Sequence, residues 1–67
     1  MSEVEQVIRW VLDQNSEEIS VLEDALGRGN AKDYSAYMYT CGQIFGLKKL
    51  NGHLIDKLTQ YQRGEME

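Results

Sequence analysis

The chain has 67 residues, a formal net charge of −4, one cysteine and one histidine. That length holds a single domain with a modest core, the lone thiol excludes an internal disulfide, and Cys41 with His53 falls short of the four ligands of a structural zinc site. An acidic chain without a basic stripe is a poor nucleic-acid binder, and no apolar run approaches the roughly 20 residues that cross a bilayer, so neither nucleic acid nor membrane is expected as a partner.

The polar, acidic start does not read as a signal peptide. Ser2-Glu3-Val4-Glu5 reads instead as a capping box, with the serine at the N-cap and Glu5 three residues on. From there Val4, Ile8, Val11, Leu12, Ile19, Leu22 and Leu26 recur at steps of three and four, one stripe of an amphipathic helix. Asn15 is the one polar residue in the stripe. It reads as a core amide satisfied by a partner or a water, or as a pin that selects alignment and oligomer state. A break at Asn15-Ser16-Glu17-Glu18 is a third reading, but no Gly or Pro supports it, and one continuous helix is expected over about 3–26.

Gly27-Arg28-Gly29-Asn30 is the clear turn, expected at 27–30, with Gly27 as the residue that ends the helix. Asn30 is the expected cap of a second helix, and Asp33 favours its positive end. This helix is expected over about 31–63, with Gly64 releasing a tail of Glu65-Met66-Glu67. So short a turn makes the helices antiparallel. The fold class is therefore all-α, an antiparallel two-helix hairpin occupying 1–67 as one unit. Its second seam is Tyr37, Thr40, Cys41, Ile44, Leu47, Asn51, Leu54, Leu58 and Tyr61. Folding about Gly29 predicts Ile44 near Asn15, Leu47 near Val11 and Leu54 near Val4, with Leu58 and Tyr61 beyond the start of the first helix. Residues 1–27 sum to −6 and residues 28–67 to +2, which assists this docking weakly.

The seam does not use all the apolar residues. Tyr34, Met38 and Phe45 form a flank of the second helix, Tyr39 and Leu50 lie on its other side, and Trp10 and Val21 fall outside the first stripe. A helix apolar on several faces is normally buried on several faces, and clustered apolar surface marks an interface. Gly42 and Gly46 form a small-xxx-small pair where another helix could approach closely. The expected interface residues are Tyr34, Met38, Gly42, Phe45, Gly46, Leu50 and Trp10. They imply a homodimer or higher homo-oligomer that completes a helical bundle.

No nucleophile–base pair is legible. Cys41 reads as a small half-core thiol, His53 as exposed, and the acids as a solvated face instead of paired catalytic carboxylates. Gly27-Arg28-Gly29-Asn30 follows a helix, not a strand, and is too short to cradle a phosphate. The expectation is a non-enzyme with no cofactor, no catalytic residues and no metal.

The segment Lys32-Asp33-Tyr34-Ser35-Ala36-Tyr37, followed by Cys41-Gly42-Gln43-Ile44-Phe45-Gly46-Leu47, resembles a group of small α-helical proteins of tailed bacteriophages. Their pattern runs close to K-D-Y-x-x-Y-x-x-x-C-G-x-I-x-G-L. Phe45 and Ala31 depart from it, since relatives often carry Arg and Cys at those places. The resemblance implies a short helical fold and a phage origin, and with it a location in the host cytoplasm or the virion. The leading functional expectation is a phage structural or assembly accessory acting through helix-mediated protein–protein interaction, on itself, a phage structural protein or a host protein. The alternative is a small acidic inhibitor of a host enzyme or defence complex, one form of which is a DNA mimic, whose negative face would be Asp13, Glu17, Glu18, Glu23 and Asp24.

Overall fold

In the computed structural model, residues 2–29 and 31–64 are described. Two helices account for nearly all of them: α1, Glu3–Gly27, and α2, Tyr34–Gln62. They pack against each other as an antiparallel hairpin 47 Å long and 16 by 12 Å across.

Local chemistry sets the helix ends. Ser2 is extended and its side-chain oxygen accepts the Glu5 backbone N–H at 3.2 Å, satisfying one of the orphan donors of the first turn. Glu3 and Glu5 sit in that turn, where the helix dipole favours negative charge. At the other end Arg28 is the C-cap, and Gly29 takes the left-handed conformation, φ 73°, with its N–H donating to the Leu26 carbonyl. The glycine that stops α1 is thus Gly29. Gly27, expected in that role, is still helical. Gly64 ends α2 in the same way, φ 75°, donating to the Tyr61 carbonyl. The expected tail of Glu65-Met66-Glu67 lies outside the described residues.

The start of α2 differs from the expectation. The helix begins at Tyr34, and its N-cap is Asp33, whose carboxylate accepts the Ala36 N–H at 2.8 Å. Asn30, the expected cap, lies outside the described residues. A carboxylate at the N-cap both accepts a hydrogen bond and meets the positive end of the dipole, an advantage an amide lacks. Ala31, Lys32 and Asp33 are therefore non-helical.

This longer turn changes the pairing. The Asn15 side-chain amide donates to the Asn51 side-chain oxygen at 2.9 Å. Counting outward from that bond in opposite directions along antiparallel helices places Ile19 opposite Leu47, Leu22 opposite Ile44, and Leu26 opposite Thr40. In the other direction Leu12 faces Leu54 and Ile8 faces Leu58. The expected register was off by about two helical turns. Leu58 is not beyond the start of α1: it and Ile19 are the two most buried apolar side chains, each 8% exposed. The surplus lies at the turn, where α2 starts beyond the end of α1 and leaves Tyr34 and Tyr37 exposed.

Both seams then alternate steps of four and three, 8-12-15-19-22-26 in α1 and 40-44-47-51-54-58 in α2, a heptad pattern. The Asn15–Asn51 pair is a polar layer between apolar ones. Thr40, also in the seam, donates its hydroxyl to the Ala36 carbonyl at 3.2 Å. Lys48 meets Glu23 at 3.2 Å across the edge of the seam, in keeping with this register.

Candidate interaction surface

The heptad assignment sorts every remaining side chain onto a side of the hairpin. Glu23 and Lys48 mark one broad face. On it α2 carries Tyr34, Met38, Cys41, Phe45, Lys48, Gly52 and Ile55, again at steps of four and three. This is a second seam, about 100° around α2 from the first. Tyr34, Met38, Phe45 and Ile55 are all exposed, Tyr34 at 75% and Phe45 at 69%. On the same face α1 is polar, with Arg9, Asp13, Ser16, Ser20 and Glu23.

The opposite broad face carries Val4, Val7, Val11 and Val21 of α1 with Tyr39 and Leu50 of α2. Gln14, Glu18, Gln43, His53 and Lys57 interrupt it. A shallow hollow of about 350 Å³ at its open end is lined by Glu3, Val4, Val7 and Ile8. A second hollow, about 310 Å³, lies under the turn among Ala25, Leu26, Ala31, Lys32, Ala36 and Thr40.

The seven expected interface residues therefore do not share one surface. Tyr34, Met38 and Phe45 stand together on the Lys48 face. Leu50 is on the opposite face, because five residues after Phe45 is about 140° around the helix. Gly42 and Gly46 lie on the outer side of α2, where an added methyl group would meet no atom within 4 Å. Trp10, 62% exposed, is on the outer side of α1, next to Val7 and toward the end of the hairpin away from the turn. Cys41, Lys48, Gly52 and Ile55 belong to the same run and are not among the expected interface residues. The signal was present in the sequence, since the spacing of Tyr34, Met38 and Phe45 continues unbroken to Ile55.

Cys41 is half-buried at the border between the two seams. Its chemistry is engaged with Tyr37, one turn away. The Tyr37 phenol is raised above its ordinary pKa first by its side-chain hydrogen bond with Cys41, then by the charge of the same thiol, with smaller effects of desolvation and Tyr34.

The surface is large for the mass. Compact monomers of 7.7 kDa expose roughly 4,300 Å², and this chain exposes 5177 Å². The radius of gyration, 15.1 Å, likewise exceeds the roughly 11 Å of a compact chain of this length. No side chain is fully buried among the described residues. No three His, Cys, Asp or Glu side chains among them gather as a metal site, and no helix is long and apolar enough to cross a membrane.

Compared with protein families, with curated proteins and with solved structures, the chain matches none.

Proposed function

We propose that this protein acts by helix-mediated association, without catalysis, as a structural or assembly accessory of the kind tailed bacteriophages encode, and that its first partner is itself. One observation carries the reading. Among the described residues the lone hairpin buries Ile19 and Leu58 to 8% exposure and leaves the rest of its seam half-buried, while large apolar side chains remain in water along a second heptad seam. Two helices with one incomplete seam gain little against chain entropy. Association supplies the missing burial. The phage setting is supported by the sequence resemblance at Lys32 through Leu47.

The alternative, an acidic inhibitor, draws on five acids of α1. Two of them are already engaged within the chain: Asp24 with Arg28 at 2.7 Å and Glu23 with Lys48. That weakens a face meant to imitate a polyanion.

Sedimentation equilibrium from micromolar to millimolar concentration, with circular dichroism on the same samples, tests the association. A concentration-dependent dimer or higher oligomer is expected. A folded, helical monomer across the whole range overturns self-association. Mass spectrometry of purified virions from a phage encoding the protein tests the setting. Stoichiometric presence supports a virion accessory, and absence overturns it.

A further inference from the structure

The geometry points to one mode of self-association: we infer that a second copy packs its α2 antiparallel against α2 through the exposed seam, with Phe45 on the two-fold axis. The inference rests on the self-association proposed above and adds which face is used and in what register.

Three observations commit the seam to a second copy. The first is area. The hairpin exposes about 850 Å² more than a compact monomer of its mass, close to the roughly 800 Å² that each partner contributes to a standard interface. The second is continuity. On the Lys48 face Tyr34, Met38, Phe45 and Ile55 of α2 keep one heptad spacing, with Cys41, Lys48 and Gly52 at the steps between, whereas on the opposite face α2 has Tyr39 and Leu50 among Gln43, Gly46, His53 and Lys57.

The third is self-complementarity. Reversed about Phe45, the seam sets Tyr34 opposite Ile55 of the second copy, Met38 opposite Gly52, and Cys41 opposite Lys48. Phe45 meets its own copy at the axis, Tyr34 meets the smaller Ile55, and Met38 meets open space, since a methyl group at Gly52 would touch nothing within 4 Å. A parallel pairing would stack Lys48 on Lys48 and Gly52 on Gly52, putting like charges together and leaving a gap. The antiparallel pair also brings Lys48 to the interface with its charge already balanced by Glu23, at 3.2 Å. The two seams of α2, about 100° apart, match the near-square arrangement in which each helix of a four-helix bundle meets two neighbours. On the same face α1 presents the small Ser16, Ser20 and Gly27 among the charged Arg9, Asp13 and Glu23, so the two α1 helices would form a polar side of the square.

Cross-linking tests the register. In Lys48→Cys, with Cys41 retained, oxidised glutathione should give a covalent dimer closed by two reciprocal disulfides between positions 41 and 48. Within one chain these cysteines are about 10 Å apart along the helix, beyond the roughly 7 Å limit between Cα atoms of a disulfide. Phe45→Cys in a Cys41→Ala background should cross-link through a single bond at the axis. Wild type should not, because its two Cys41 residues would stand about 12 Å apart along the axis. Phe45→Glu should raise the dimer dissociation constant roughly tenfold to a hundredfold, while Gly46→Glu, farther around the outer side, should leave it unchanged. A sedimenting dimer that fails to cross-link at both pairs, or cross-links as well through Gly42→Cys in the Cys41→Ala background, overturns this mode and leaves self-association standing. A monomer at every concentration overturns both.

Discussion

In α1 the long aliphatic side chains, Ile8, Leu12, Ile19, Leu22 and Leu26, fall on the seam, and what remains outside it is Trp10 and valines. In α2 the seam takes Ile44, Leu47, Leu54 and Leu58, yet Tyr34, Met38, Phe45 and Ile55 repeat the same spacing on a second side. α1, with 25 residues, carries one apolar seam, and α2, with 29 residues, carries two. That asymmetry is the reason the proposed contact is placed on α2.

The contrast predicts different responses to truncation. Leu58→Ala, in the shared seam, should destabilise the hairpin by about 2–4 kcal/mol, read from urea unfolding at low micromolar concentration. Phe45→Ala should lose less than about 1 kcal/mol in that experiment, because its ring is in water in the monomer. Equal losses would erase the distinction between the two sides of α2.

A smaller effect is expected at the polar layer. Asn15→Leu strands the Asn51 amide and should cost about 1–3 kcal/mol. Asn15→Leu with Asn51→Leu should recover most of that loss, since an apolar layer needs no partner. The recovered variant should also give more than one set of amide resonances, because without the polar layer a slip of one heptad meets no penalty. A single set of resonances would show that the turn alone fixes the register.

The smallest effect concerns the outer side of α2. Gly42→Ala should stabilise the helix by up to about 1 kcal/mol, as no atom approaches within 4 Å of the added methyl group. A loss in thermal unfolding would place a neighbour on a side of α2 that the contrast leaves open to solvent.

Much of this was legible in the sequence. Apolar steps of three and four reveal both helices, and Gly27-Arg28-Gly29 between them makes the chain fold back. The register was not legible, because it depends on which of two capping residues wins. Asn30 and Asp33 both suit the N-cap, and moving the start of α2 from Ala31 to Tyr34 slides the facing residues toward the turn. The partner of Asn15 was hidden for the same reason, although Asn51 stood in the other seam. Clustering along the chain merges sides that a helix separates. Phe45 and Leu50 are near in sequence and on opposite faces in space. Spacing at heptad steps, applied twice to α2, would have separated them and added Ile55.

The Asn15–Asn51 bond carries one more consequence. It fixes which residues of α1 and α2 face each other, but it does not require that both belong to one chain. If the segment from Arg28 to Asp33 were straightened, α1 of one molecule could lie along α2 of another with the same amide bond and the same apolar layers. Such a domain-swapped dimer would bury the same seam. What separates the closed form from the exchanged one is the conformation of the connection, above all the left-handed Gly29, φ 73°. Replacing that glycine with a β-branched residue penalises the bend and leaves every layer of the seam untouched, so a change at one exposed position would redistribute the protein between folding on itself and threading through its neighbour.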